Sequence, residues 1–360
     1  MSFSDVIAQH RAKGILSRAI ANERVSHAYL FSGPPGVGKE ALAIEFAKAL
    51  YCTGAGEKPC DACSSCRRIR SFQHPDFRFI FPSSAKNVEE ERAVLDSVMA
   101  NPYSRRKPWA TPTIGIEQIR EIRHTSTLRP MEGRRVVILA EADKMTIPAA
   151  NSLLKILEEP PATMYLILTA SQVNSMLPTI LSRCQEIRLS PLPDNEMEWT
   201  LIEKKEVEPL RAQLISRVSQ GSYTRALEWL DESYSERREN VIGFLRCCLK
   251  DVKSQIELVE QWLREYDKKI IKDILNLALL WFRDAMILTA APLSENLVNI
   301  DQLETVEKFV GAFESIDFEK AFTEIENSVH MIDRNVQINL ILIVLMIKLR
   351  QTLKLKGRQK

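Results

Sequence analysis

Apolar runs without polar alternation mark the first half of the chain. Residues 28–31 (Ala28-Tyr29-Leu30-Phe31), 77–81, 135–139 and 165–169 are four of them. An unbroken run of this length fits a parallel strand covered on both faces. Segments with helical spacing fall between them. One follows residue 39, with Leu42, Ile44 and Phe46 among small residues. Others cover residues 116–123, 149–157 and 176–181, the second closed by Glu158-Glu159-Pro160-Pro161. This alternation predicts an α/β domain, a parallel sheet with flanking helices. Residues 82–112 break the pattern, being charged and irregular with Pro82, Pro102, Pro108 and Pro112. They read as a surface insertion, helical around residues 88–99.

After Ile187 the strand-like runs almost vanish and helical periodicity dominates. Leu189-Ser190-Pro191-Leu192-Pro193-Asp194 reads as a linker into a small helical unit. Gly221-Ser222 interrupts that unit, and a long helical region starts near Ser233. The pattern predicts three domains: α/β over residues 1–187, a small helical unit over 188–232, and an all-helical region over 233–360. Residues 338–349 are almost continuously apolar, and a helix apolar all round belongs to a core or an interface. The apolar run 340–347 is too short for a bilayer, which takes about 20 residues. The opening Met1-Ser2-Phe3-Ser4-Asp5 shows no basic region followed by an apolar stretch. Both observations predict a soluble, intracellular protein with no membrane partner, and the short basic tail 354–360 reads as a solvated terminus.

Composition narrows the function. With 45% hydrophobic residues each domain can bury a core, so a wholly disordered chain is excluded. Lys+Arg total 49 against 47 Asp+Glu, a net charge of +2. That balance excludes a histone-like protein bound to nucleic acid by bulk charge, and leaves local contacts or contacts through partners. Four of the seven cysteines crowd together as Cys52-x₇-Cys60-x₂-Cys63-x₂-Cys66. In a reducing compartment this is not a disulfide framework. Four thiolates at C-x₂-C spacing suit a tetrahedral Zn²⁺, and Lys58, Arg67 and Arg68 would offset the charge of such a centre. An iron–sulfur cluster also takes four cysteines, and free thiols are the third alternative. A site with four protein ligands leaves no open position, so its role would be structural. Cys184, Cys247 and Cys248 read as buried small hydrophobes.

Gly33-Pro34-Pro35-Gly36-Val37-Gly38-Lys39 fits the G-x-x-x-x-G-K phosphate loop, between a strand and a helix as the motif requires. Gly33, Gly36 and Gly38 let backbone N–H groups face an anion, and Lys39 would reach the terminal phosphates. A working loop continues with Ser or Thr, whose hydroxyl ligates Mg²⁺; here the residue is Glu40. The apolar run 135–139 should be followed by a metal-holding Asp, and that position is Ala140. Glu141 stands where a water-activating base would, with Asp143 two residues beyond. Both protein contacts to Mg²⁺ are replaced, which predicts a phosphate-loop fold whose own site does not hydrolyse nucleotide. Whether the site still retains ATP or ADP is left open.

Several further segments carry a family resemblance. Phe3-Ser4-Asp5-Val6-Ile7-Ala8-Gln9, Ser26-His27-Ala28-Tyr29-Leu30-Phe31 and His74-Pro75-Asp76 are three of them. Ala150-Asn151-Ser152-Leu153-Leu154-Lys155-Ile156-Leu157 and Ser182-Arg183-Cys184 are two more. In this order over residues 1–230 the chain resembles the clamp-loader subunits of bacterial DNA polymerase III, an AAA+ family that assembles as a pentamer. Ala8 replaces the glycine of the family's opening motif. The resemblance implies an AAA+ domain, a helical lid and an all-α collar that holds the pentamer, the last including Trp281-Phe282-Arg283-Asp284. Glu40 and Ala140 imply the delta-prime type, with a degraded nucleotide site, over the gamma/tau motor type. The resemblance also implies a zinc module at the four cysteines, and that Arg183 acts in trans as an arginine finger on the ATP of a neighbouring subunit. Thr169 falls at the sensor-1 position and Arg225 at the sensor-2 position, the latter a relic or an ion-pair partner. Implied partners are gamma/tau and delta subunits, the sliding clamp, and primed DNA through the complex, in the bacterial cytoplasm at the nucleoid-associated replisome. Two rival readings are an active gamma/tau-type ATPase and a zinc protein that binds nucleic acid without AAA+ partners.

Overall fold

The computed structural model describes residues 3, 6–84, 88–109, 111–230, 233–291, 297–334 and 336–355. Ser4 and Asp5 of the opening motif, residue 110 and residues 85–87 of the insertion, and the tail from residue 356 lie outside them. The chain groups into two compact units: Met1–Val207 with Ser219–Leu227, and Glu208–Val218 with Glu228–Lys360.

The first unit is built on a five-stranded parallel sheet in the order β2-β3-β4-β1-β5. In chain order its elements begin α1 (His10–Ala21), β1 (Ala28–Ser32), α2 (Lys39–Tyr51), α3 (Ser64–Arg70), β2 (Phe77–Ile80), α4 (Val88–Ala100) and α5 (Ile116–Ser126). They continue β3 (Arg135–Leu139), α6 (Ile147–Glu158), β4 (Met164–Ala170), α7 (Pro178–Leu181), β5 (Gln185–Arg188) and α8 (Asp194–Lys205). β1 and β3 are buried at every residue, which is why their sequences carry no alternation. β4 sits between them in register, with Leu30 beside Leu168 and Leu139 beside Leu168 on the other side. This central position places the ends of β1, β3 and β4 side by side, where a phosphate loop needs them.

Two features depart from the sequence reading. β5 lies parallel to β1, pairing Phe31 with Ile187, yet Gln185-Glu186-Ile187-Arg188 has only one apolar residue. An edge strand buries one residue of its four, so its pattern carries almost no signal; it also extends the α/β region one residue past 187. The segment expected to be helical over 176–181 is helical only from Pro178. Pro fits the first turn of a helix because its missing N–H would be unsatisfied there in any case.

Ala8 and Gln9 both adopt left-handed backbone, φ 50° and 55°. A glycine costs nothing there and an alanine does, so the structure gives a reason for the glycine of the family's opening motif. The Gln9 amide donates to Ser190 O at 2.7 Å and Val37 O at 3.3 Å, and so ties the phosphate loop to the exit of β5. His74-Pro75-Asp76 is a similar staple. His74 Nε2 meets Glu132 Oε2 at 2.9 Å, and Asp76 Oδ2 accepts the Glu132 N–H at 2.8 Å.

The second unit is helical, formed by α9 (Pro209–Val218), α11 (Ser233–Cys248), α12 (Val252–Glu265), α13 (Lys268–Ala290), α14 (Leu303–Ala312), α15 (Phe318–Asp333) and α16 (Ile338–Thr352). The short α10 (Tyr223–Glu228) lies between α9 and α11. One antiparallel pair, β6 (Phe313–Ile316) and β7 (Leu353–Leu355), closes the helices. α16 buries Ile341, Leu342, Leu345, Met346 and Leu349 and leaves Leu340, Val344 and Ile347 exposed on its other face. No described helix is long and apolar enough to cross a membrane.

Asp284, buried within α13, explains the polar residue in Trp281-Phe282-Arg283-Asp284. Its carboxylate accepts from Val298 N, Asn299 N at 2.7 Å and Asn299 Nδ2 at 2.8 Å. Arg238 reaches the same loop, donating to Asn299 Oδ1 and, through two nitrogens, to Asp301. Removing the acceptor strands three buried donors. Asp284→Ala is expected to destabilise the chain by about 3 kcal/mol, read as a lowered midpoint in urea unfolding.

Candidate functional site

The phosphate loop runs from the end of β1 into α2. Gly38 stands before the helix at φ 97°, a conformation that favours glycine, and a Cβ there would lie 2.7 Å from Tyr103 Oη. Lys39 is folded back onto its own loop, with Nζ donating to Gly33 O at 2.8 Å and Pro34 O at 2.6 Å. Burial pulls its pKa down to about 8, against the carboxylates of Glu40, Asp143 and Glu141, which support the charge. Gly36 O accepts the Tyr223 N–H at 2.9 Å, and a Cβ on Gly36 would meet Ser222.

Beside the loop, Glu40 and Glu141 face one guanidinium. Arg105 Nε lies 3.2 and 3.1 Å from the Glu40 oxygens, and Arg105 Nη2 lies 2.7 Å from Glu141 Oε1. Lys107 and Lys144 pair with Glu141 as well. Burial pushes the Glu40 carboxyl up from its ordinary value, and the one shared guanidinium offsets this only in part. Burial acts the same way on Glu141, but its cations overcome it and hold the pKa at about 2. Ala140 is fully buried in an apolar cluster with Phe81, just past β2, and Val94 in the insertion's α4. An Asp there would be packed among apolar groups, so the loss of the acid and the packing of α4 go together.

The two remaining positions near β4 have local work. Thr169 Oγ1 accepts the backbone N–H of Glu141 at 3.0 Å and so supports a residue in left-handed backbone, φ 52°. Asp143 Oδ2 accepts from Gln172 N at 3.1 Å and caps the turn after β4.

Arg183 is half-buried after α7. Its Nη1 donates to Thr179 O at 3.0 Å and its Nη2 pairs with Glu158 Oε1, at the end of α6, at 2.9 Å. Arg225, at the start of α10, reaches only Gln220 Oε1 at 3.5 Å and has no acidic partner among the described residues.

The four cysteines converge. The sulfurs of Cys52, Cys60, Cys63 and Cys66 all lie within 4.8 Å of one another. A tetrahedral ion with bonds of about 2.3 Å needs sulfurs about 3.8 Å apart, so a small contraction closes the site. Backbone N–H groups already point at three of them: Cys60 N at Cys52 Sγ (3.4 Å), Cys63 N at Cys60 Sγ (3.4 Å) and Cys66 N at Cys63 Sγ (3.5 Å). Burial would raise the Cys63 thiol, but the N–H groups of Cys66 and Thr53 and the neighbouring Cys66 and Cys60 thiols bring it down to about 6, so a thiolate forms near neutral pH. The module is anchored to α2 by Lys48, a buried ammonium that pairs with Glu45 and with Asp61 Oδ1 at 2.5 Å. These residues can hold a metal ion.

The sequence model of the family described as DNA polymerase III, delta subunit, matches residues 8–193, just over half of the chain. The delta' subunit of DNA polymerase III of Bacillus subtilis (strain 168) is 30% identical over 281 residues, which cover 77% of each chain. The chain belongs to the DNA polymerase III clamp-loader family. The delta' subunit of Haemophilus influenzae is 32% identical over 219 residues, 60% of this clamp-loader chain and 58% of the relative. The tau subunit of Salmonella typhimurium is 33% identical over 239 residues; these span 64% of this chain and 33% of tau.

The motifs named Gly33, Gly36, Gly38, Lys39, Glu40, Ala140 and Glu141, and the resemblance added Thr169 and Arg225; all gather around the loop and the ends of β3 and β4 except the Arg225 side chain, which reaches Gln220. The sequence reading missed Arg105, Tyr103 and Lys107, which come from the insertion, more than 60 residues beyond the phosphate loop along the chain. One signal was present: Ser104-Arg105-Arg106-Lys107 is a basic stretch, and Glu40 is an acid where phosphate binding disfavours one. It also missed the anchoring role of Lys48.

Two outcomes are expected of the cysteine module. The purified clamp-loader chain should carry one metal ion, zinc by elemental analysis, and Cys63→Ser should lose it. Lys48→Ala should destabilise the chain by about 3 kcal/mol in denaturant unfolding, because it breaks a buried ion pair.

Proposed function

We propose that this chain is the delta-prime subunit of the bacterial DNA polymerase III clamp loader: an AAA+ subunit that does not hydrolyse ATP and forms a rigid end-piece of the pentamer. The single observation that carries the reading is the occupation of the metal position. Phosphoryl transfer needs a divalent cation held by a hydroxyl after the loop lysine and by an acid after β3. Here Glu40 and Ala140 stand at those positions and Arg105 lies between Glu40 and Glu141. Under this reading Thr169 supports the Glu141 backbone, and Arg225 is a relic.

The chemistry this subunit performs is then for its neighbour. Arg183 would reach the γ-phosphate of ATP on the adjacent gamma/tau subunit, where a planar, always-charged guanidinium stabilises the charge of the transferring group. Such a residue supplied in trans adds about 10³–10⁵ to the rate. The Glu158 pair and the Thr179 carbonyl hold Arg183 in place. Residues 188–232 act as the lid and 233–360 as the collar that joins the pentamer with gamma/tau and delta. The assembly loads the sliding clamp on primed DNA in the cytoplasm, at the replisome. The four cysteines hold one structural Zn²⁺.

The match to tau subunits favours a second reading, an active gamma/tau-type ATPase. Pure chain showing hydrolysis that disappears in Lys39→Ala would establish that reading over ours. For the finger, Arg183→Ala in the reconstituted loader is expected to lower clamp- and DNA-stimulated ATP hydrolysis while the mass of the complex stays the same. An unchanged rate removes Arg183 from the role.

A further inference from the structure

Residues 101–109 of the insertion close over the phosphate loop. Tyr103 packs against Gly38, its Oη accepts the Ile7 N–H at 2.8 Å, and its carbonyl accepts the Thr224 hydroxyl. Its ring lies edge-on to Tyr223, centroids 5.0 Å apart. Two residues on, the Arg105 side chain is 5% exposed, with Glu40 at 15% and Glu141 at 14%. Its guanidinium carbon also lies 5.7 Å above the Phe81 ring. A guanidinium this deep, shared by two carboxylates from different elements, is not a surface ion pair that forms and breaks freely.

We propose that Arg105 is a built-in counter-ion that takes the place of the divalent cation at this phosphate loop, so that residues 101–109 form a plug excluding metal-bound nucleotide. This deepens the reading of the pocket as one that does not cycle nucleotide, and it assigns the insertion a task. The argument is one of charge and place. A hydrolysing site holds its cation between the residue after the loop lysine and the acids after β3. In this chain that same space lies between Glu40 and Glu141, and Arg105 spans it with a nitrogen on each. The two glutamates could not lie side by side, both ionised and buried, without a cation between them. Burial already pushes Glu40 up, so its charge depends on the guanidinium that the insertion brings. A plug of this kind also accounts for Lys39, which donates to its own loop carbonyls where a phosphate would otherwise engage it.

The proposal separates two substitutions that a simple loss of Mg²⁺ ligands would not. Restoring the hydroxyl alone, Glu40→Ser, leaves Arg105 on Glu141 and the plug in place. Restoring it together with Arg105→Ala removes the guanidinium from between the two positions and leaves Glu141 paired only with the more exposed Lys107 and Lys144 at its edge. The test titrates the full-length chain and these variants with Mn²⁺, followed by electron paramagnetic resonance, and with a fluorescent ADP in the presence of Mg²⁺. Wild type and Glu40→Ser are expected to bind both poorly. The double variant is expected to gain at least about tenfold in affinity for each. Arg105→Lys keeps a cation in place and should behave as wild type, and circular dichroism on every variant checks that it is folded. Equal binding by Glu40→Ser and the double variant overturns the plug, as does tight Mn²⁺ or Mg²⁺-ADP binding by wild type. If the double variant does not fold, Arg105→Gln with Glu40 intact replaces it, and absence of any gain over wild type then counts against the proposal. These are binding measurements on the isolated chain, so they fail separately from the finger, which is read from ATP hydrolysis in the assembled loader.

Discussion

Two carboxylates buried beside a phosphate loop repel each other unless a cation stands between them, and the middle of this structure is organised by that constraint. Glu40 opens α2 and Glu141 follows β3, so the parallel sheet itself sets them face to face. The cation is Arg105, carried by a segment that the rest of the unit must hold down. Tyr103 against Gly38, Phe81 stacked with Trp109, and Ala140 sealed beneath α4 are the contacts that hold it. The small side chain of Ala140 and the bulk of the insertion belong to one packing solution, because an acid at 140 would be stranded among Phe81 and Val94.

The cysteine module follows a similar rule at a different site. Lys48 is a buried charge on the helix that starts at the phosphate loop, and it is tolerated because Glu45 and Asp61 neutralise it. Asp61 lies within the cysteine loop, so metal binding there and the position of α2 are mechanically linked. Three of the four sulfurs already receive N–H donors that favour thiolates, which is the arrangement a closed structural site needs.

Arg183 stands apart from both. It lies just after α7, held by Glu158 at the end of α6 and by the Thr179 carbonyl, and takes no part in the charge balance around Glu40. Under the proposed function this is the guanidinium that the subunit offers to a neighbour's nucleotide.

The sequence by itself determined the parallel sheet, because strands buried on both faces must be apolar throughout, and 28–31 and 135–139 are. It determined the phosphate loop and the cysteine centre, because glycines before a helix and thiolates at C-x₂-C spacing are local patterns. It did not show β5, whose edge position needs only Ile187 to be apolar, nor the insertion's role, since residues 82–112 have no period to read. Only the tertiary structure decided that Arg105 lies between Glu40 and Glu141, and that Thr169 supports a backbone turn. Those contacts join residues far apart in the chain, and charge neutralisation in a buried site depends on distance in space, which no spacing along the sequence records.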